Sequence, residues 1–478
     1  MIVQKARDYV VENLKYALNP KSIAVVGASR YNTKVGYKVI EGLKSWGYKG
    51  KIYPVNPRAD FVHGLKAYKT IKDIPDEIDL VFVAVPAHLV KMVLKDSVEK
   101  KAKIAVIATS AFKEIGRGEL QNELTEYCRE NRLPLIGPNL VGMGSPYLNF
   151  NCGFIPYLPI KGPVAMISQS GANLLAALGT SHKDHFGMSF FVGLGNKADV
   201  DYCEFIKYAG LDDNTKCLAI YIEGLDSREA FIDACNNVVE SKPIVTIKVG
   251  GSEIGVKAAF AHTASENEGT TDSDYDEVFE KAGAIRATTW QQFLDISLAL
   301  GLQPELKGDN LVLITNGGGA GLLSCDHFER NGMPLRELKE ISPGLGERIK
   351  AYMPMFGSPL NPVDISGTAS PIQYDGAFRQ AMRDPNVDGI LGAICPTAVT
   401  DVPAVTDVVI RIYNEYKSLG KPFVMICQGG KECQESIMKL RDHGIPAYST
   451  AEQAVNAVIA LRKYSKIKEK FINKNNNN

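Results

Sequence analysis

In this chain of 478 residues, three segments carry side chains whose types and order suit the transfer of a phosphoryl group. His262 stands in Ala261-His262-Thr263-Ala264-Ser265, which follows the apolar run from Pro243 to Gly250 and a short Gly/Ser loop. Glu223 closes the run that begins at Cys217, and Ser168-Gln169-Ser170-Gly171-Ala172 follows the run that begins at Val164. A histidine oriented by a carboxylate through one ring nitrogen keeps the other free as a nucleophile or base. Backbone N–H groups at a helix start, here those of Ser170, Gly171 and Ala172, stabilise an anion beside it. A lone histidine is more often an ordinary polar residue. It is the shared sheet edge, with all three parts at or just past strand carboxyl ends, that points to a phosphohistidine intermediate on His262 with Glu223 as its carboxylate. The other histidines, at 63, 88, 182, 185, 327 and 443, show no metal-ligand spacing and read as surface or capping residues, so no metal site is expected.

The elements that must position these groups follow one repeated pattern. A short, β-branched apolar run stops at small or polar residues, and an amphipathic helical pattern follows, which is how the strands and helices of a parallel sheet covered on both faces read. The pattern starts afresh at IAVVGAS (Ile23 to Ser29), VAMISQSGA (Val164 to Ala172) and LVLITNGGGAG (Leu311 to Gly321). The fold class is therefore α/β, with three successive doubly wound domains over residues 1–147, 148–305 and 306–465. A closing helix is expected from Glu452 to about Leu461, and the low-complexity end, 466–478, reads as a disordered tail.

In a doubly wound sheet, ligands sit beyond the strand carboxyl ends. The loop Gly27-Ala28-Ser29-Arg30, with Gly36 opening the next helix, suits a phosphate-bearing nucleotide or a structural turn. A dinucleotide fold offers an acid at the end of its second strand for the ribose 2′-OH, whereas this strand ends Val55-Asn56-Pro57. NAD is thereby disfavoured, and a nucleotide with its own ribose phosphate is admitted, with Lys34 and Arg30 available to meet it. Pro86, Ala108-Thr109-Ser110 and Pro138-Asn139 lie on the same rim, which a ligand the size of CoA can cross. Gly195-Asn196-Lys197-Ala198-Asp199-Val200-Asp201 either caps a helix or borders the phosphoryl site. In the third domain, Asn316, Gly317 and Gly318 open a phosphate cradle or a plain turn, and Asn361-Pro362-Val363-Asp364 is a polar loop.

Composition narrows the partners. Lys and Arg number 54 against 54 Asp and Glu, so the basic excess of a nucleic-acid binder or anionic-membrane binder is missing. The N-terminal stretch lacks the continuous apolar core of a signal peptide, and no run approaches the roughly 20 apolar residues of a membrane span. The chain is therefore expected in the cytoplasm, and in that reducing compartment nine scattered cysteines without a CxxC pair read as buried small hydrophobes.

Taken together, IAVVGAS, YPVNP, DEIDLVFVAVP, IGPNLVG, ISQSGA, GNKADVDYCE, YIEG, AHT, TNGGGAG and NPVD resemble, in this order and over essentially the whole chain, the α subunit of ADP-forming (NDP-forming) acyl-CoA synthetases, relatives of succinyl-CoA synthetase. The resemblance implies a Rossmann-like CoA-binding domain followed by two flavodoxin-like ligase domains. It implies that His262 is phosphorylated with Glu223 as its partner, and that Gly27, Ser29, Lys34, Val55, Pro86 and Asn139 surround CoA. It further implies that ADP or ATP with Mg sits on a separate ATP-grasp β subunit, in an α2β2 or similar assembly. After the histidine the family text is close to HTGSLAG, whereas this chain reads His262-Thr263-Ala264-Ser265-Glu266-Asn267-Glu268-Gly269. A chain that had lost catalysis through that loop would be a CoA-responsive regulatory protein, the alternative reading.

Overall fold

Runs such as Ser22-Ile-Ala-Val-Val26 are buried at every position, because helices cover both faces of the sheet they enter. A computed structural model describes residues 7–263 and 272–476. The chain divides into two compact units, one ending at Thr288 and the other beginning at Thr289.

The first unit holds two sheets. β1 (Ser22–Val26), β2 (Lys51–Val55), β3 (Leu80–Val83), β4 (Ile104–Ile107) and β5 (Leu135–Ile136) form a parallel sheet in the order β2-β1-β3-β4-β5. The order reverses between β1 and β3, and a crevice opens beyond their carboxyl ends. The second sheet contains β6 (Gly142–Ser145), β7 (Phe150–Gly153), β8 (Lys161–Ser168), β9 (Met188–Gly193), β10 (Cys217–Ile222), β11 (Ile244–Lys248) and β12 (Ile285–Ala287). Its order is β12-β11-β10-β8-β9-β6-β7, parallel from β12 to β9, with the β6–β7 hairpin antiparallel at one edge. The hairpin straddles the boundary expected at 147/148 and puts the chain on the second sheet from Gly142. Strands of two to four residues such as β6 and β12 carry no readable period, which is why they escaped the sequence pattern.

A buried carboxylate ties the two sheets together. Asp199, on the loop after β9, accepts from Arg129 Nε at 2.8 Å and from the Leu135 backbone N–H at 3.2 Å. Arg7 lies 3.4 Å from the same carboxylate and 3.0 Å from Glu204.

In the second unit, β13 (Leu311–Thr315), β14 (Ser358–Pro359), β15 (Val363–Asp364), β16 (Gly389–Ile394), β17 (Phe423–Cys427) and β18 (Ala447–Tyr448) give the order β14-β15-β13-β16-β17-β18, parallel except at β14–β15. The helix Trp290–Leu302 belongs to this unit, where Tyr448 donates to the Asp295 carbonyl at 2.7 Å, so the unit begins before the boundary expected at 305/306. The closing helix runs Ala451–Asn476, well past Leu461 and through most of the tail read as disordered. Leu461, Tyr464 and Phe471 keep the helical spacing on its buried face, and Lys468 pairs with Glu305 at 3.2 Å. Asparagine-rich composition hid that amphipathic register.

Candidate active site

Beyond β1 the backbone turns at Gly27, whose φ of +89° favours glycine and where a Cβ would stand 2.3 Å from the Ala84 carbonyl oxygen. The helix Val35–Ser45 begins equally close, since a Cβ on Gly36 would lie 2.1 Å from the Gly27 carbonyl oxygen. Asn56, in the place of the missing acid, donates to the Ala28 carbonyl at 2.6 Å and accepts from the Arg58 N–H at 2.7 Å. Its amide holds the loop in shape. A cleft of about 770 Å³ results, lined by Gly27, Ser29, Lys34, Val55 and Pro86 among others. Arg58 and Lys69 also line it, while Arg30 is exposed and not among its lining residues. Asn139 lines an adjoining cleft of about 610 Å³ together with Thr109, Ser110 and Arg117, and the two clefts share Val35, Ala84, Val85 and Pro86. His88, read above as a surface residue, lines the second cleft.

The clefts lead toward the second sheet. Asn139 donates to Asn196 Oδ1 at 3.2 Å, on the loop after β9, and a Cβ on Gly171 would lie 2.5 Å from Val141, which lines the smaller cleft. Gly171 opens the helix Gly171–Asp184, with Ser170 as its N-cap accepting from the Asn173 N–H at 3.4 Å. The first-turn N–H groups of such a helix have no partner within it, which makes the end an anion site. Gln169, 2% exposed, joins this loop to the end of β10: its Oε1 accepts from Tyr202 OH at 2.8 Å and from the backbone N–H groups of Glu223 and Gly224 at 3.1 and 3.2 Å. Ser170 and Glu223 are thus brought to one rim. His262 lies in the helix Glu253–Thr263 that follows the short Gly/Ser loop, and its side chain and the segment 264–271 fall outside the described residues.

Two buried lysines border the same rim. Lys197, on the loop after β9, lies 3.1 Å from Asp226 and 3.8 Å from Asp201. Burial alone would lower its pKa, but these carboxylates outweigh it and hold the ammonium above its ordinary value. Burial pushes the Asp201 carboxyl up to about 6 against the pull of Lys197. Lys248 closes β11, and burial lowers its ammonium to about 8.

The second unit carries its own loop after β13. The Asn316 amide is taken up by backbone, accepting from the Cys395 N–H and donating to the Cys395 carbonyl, both at 2.8 Å. Its side chain fixes the strand ends. Gly317 caps the helix Gly318–Arg330, and a Cβ on Gly318 would lie 3.1 Å from Asp364 Oδ2.

Three family models match in succession: a CoA binding domain over residues 21–145, a succinyl-CoA ligase like flavodoxin domain over 161–300, and a ligase-CoA domain over 311–470. The chain is 39% identical over 465 residues to the α subunit of acetate–CoA ligase (ADP-forming) I of Pyrococcus furiosus, covering 96% of this chain and 99% of that one. The chain belongs to the family of ADP-forming acyl-CoA synthetase α subunits. Another relative, the acetate–CoA ligase (ADP-forming) of Methanocaldococcus jannaschii, is 37% identical over 468 residues, and this chain spans 65% of its length. Among solved structures, the dinucleotide-forming acetyl-coenzyme A synthetase 1 of Candidatus Korarchaeum cryptofilum in complex with phosphate and ADP matches with a TM-score of 0.91 and 36% identity, over 96% of this chain and 98% of that one.

For this acyl-CoA synthetase α subunit, motif reading missed Gln169, Arg58, Lys69 and Lys248. Gln169 lay inside a quoted motif, yet its role depends on Tyr202 and Glu223, 33 and 54 residues away, so nothing local announced it. Arg58 followed the quoted Asn56-Pro57, and its charge beside a nucleotide-binding strand end was a readable signal.

Proposed function

We propose that this chain is the α subunit of an NDP-forming acyl-CoA synthetase that interconverts acyl-CoA, ADP and phosphate with a carboxylic acid, ATP and CoA. The observation that carries this reading is the 39% identity to the Pyrococcus furiosus α subunit along 96% of this chain. The first sheet and its helices act as the CoA-binding domain, the second sheet, from Gly142, as the ligase domain with the phosphohistidine, and the unit from Thr289 as the second ligase domain. CoA lies in the cleft of Gly27, Ser29, Lys34, Val55 and Pro86, with Arg58 and Lys69 placed to meet its phosphates and Asn139 at the inner end.

A phosphate oxygen attacks the acyl carbon, the C–S bond breaks, and the thiolate leaves, taking up the proton that phosphate gives up. The helix start at Ser170–Gly171 holds the phosphate by backbone N–H groups. A ring nitrogen of His262 then attacks phosphorus, the P–O bond to the acyl oxygen breaks, and the carboxylate departs with the bonding pair. Glu223 holds the proton on the other ring nitrogen, and the phosphohistidine next gives its phosphoryl group to ADP.

The nucleotide and its Mg sit on an ATP-grasp β subunit, in an α2β2 or similar assembly. This reading is supported by the additional length of the Methanocaldococcus jannaschii relative, of which this chain spans 65%. Work in the cytoplasm is supported by nine unpaired cysteines. The regulatory alternative gains no supporting observation.

Intact-protein mass spectrometry after incubation with acyl-CoA and phosphate tests the core of this reading. An acid-labile phosphoryl adduct is expected in the wild type and absent from His262→Asn, with CoA binding retained by both. CoA binding without an adduct, even with the β subunit supplied, refutes the reading in favour of the regulatory one.

A further inference from the structure

Lys248 is a charged residue that the mechanism above leaves unused. It ends β11, opposite Ile222 in the parallel register, so it stands on the rim beside Glu223, the next residue of the neighbouring strand end. The side chain is held there: Nζ lies 2.5 Å from the Val249 carbonyl oxygen and 4.5 Å from the centre of the Tyr275 ring. Tyr275 is in turn hydrogen-bonded to the Leu225 backbone, two residues past Glu223. The charged groups that act on Lys248 are Asp272 from the helix Asp272–Ala282, Arg286 from β12 and Glu223 just past β10. Arg286 is itself engaged by Asp272 at 2.5 Å and Asp276 at 2.6 Å. Asp272, the stronger of the two carboxylates that act on Lys248, is shared with Arg286, and Glu223 adds its attraction from the neighbouring strand end.

We propose that Lys248 is a positioning residue for phosphoryl transfer, a fixed ammonium that balances the negative charge gathering around Glu223 when His262 carries a phosphoryl group. The inference rests on the phosphohistidine reading. It explains why a lysine occupies a site only 9% exposed, where burial lowers its basicity to about 8 and an apolar residue would be cheaper to fold. The chain reaches the helix Glu253–Thr263, which bears His262, five residues after Lys248.

The test compares wild type, Lys248→Met, Lys248→Arg and His262→Asn in the full chain, following the initial rate of phosphoryl adduct formation from an acyl-CoA and phosphate between pH 6.5 and 9.5, alongside CoA titration. Lys248→Met is expected to slow the adduct by about tenfold or more with CoA affinity within about twofold of wild type. The wild-type rate is expected to fall as pH rises through the titration of Lys248. Lys248→Arg, whose charge persists, is expected to recover most of the rate and to lose that fall. A Lys248→Met rate equal to wild type, or a Lys248→Arg profile that falls in the same way, overturns the proposal while leaving the phosphohistidine reading intact. A wild type that forms no adduct overturns both.

Discussion

Replacing Gln169 by Leu removes one side-chain oxygen that serves three donors. The leucine fills a similar volume in a site 2% exposed, so the cost arises from hydrogen bonding rather than from a cavity. Tyr202 OH keeps an acceptor in the Tyr221 carbonyl at 3.1 Å. The backbone N–H groups of Glu223 and Gly224 lose the oxygen that accepted them at 3.1 and 3.2 Å. A buried donor left without a partner costs about 1–3 kcal/mol, so the two together cost about 2–6 kcal/mol. With a urea slope of ~3 kcal/mol per molar, the unfolding midpoint of the first unit falls by roughly 0.7–2 M. The same change unpins the backbone that carries Glu223, so phosphoryl adduct formation falls, whereas CoA affinity holds because the cleft lies on the other sheet. Urea unfolding followed by a probe in the first unit reads the stability, and mass spectrometry reads the adduct. A shift below about 0.5 kcal/mol with normal phosphorylation refutes the argument that Gln169 braces the rim.

Gly27→Ala forces a side chain into a φ of +89° and onto the Ala84 carbonyl, and is expected to weaken CoA binding at least about tenfold by calorimetry. Asp199→Ala removes the acceptor of Arg129 and Leu135 and is expected to cost about 2–3 kcal/mol in urea unfolding of the first unit, because the half-exposed arginines regain water while the Leu135 N–H does not. Lys248→Met is expected to raise the thermal midpoint at pH 7. Lys248 titrates at about 8 in the folded chain and near 10.5 unfolded, so its charge opposes folding below about pH 8, and the advantage of the methionine variant shrinks as pH rises from there toward 10.5. A scan showing the advantage growing with pH contradicts the burial argument.

Much of the architecture was legible in the residues alone. The fully buried strands such as Ser22–Val26 and Cys217–Ile222 show as unbroken apolar runs because both faces are covered, and the loops that follow them show as glycine and serine. The motifs around Gly27, Ser170 and Glu223 therefore mark the strand carboxyl ends in the sequence itself. Short elements and distant partners could not be read in that way. Gly142–Ser145 joins the second sheet by antiparallel pairing with β9, and the helix Trp290–Leu302 packs with the second unit, although neither leaves a periodic trace that says which neighbour it will choose. The same holds within the site. Residue types and local spacing determined that a Ser-Gly helix start and a carboxylate lie at strand ends, since backbone geometry places such loops there in any parallel sheet. Only the tertiary structure decided that Gln169 braces Glu223, that Asn56 and Asn316 hold their loops through backbone hydrogen bonds, and that Lys248 stands beside Glu223. Those contacts join residues tens of positions apart, and their energy comes from burial and hydrogen-bond geometry that exist only once the sheet has formed.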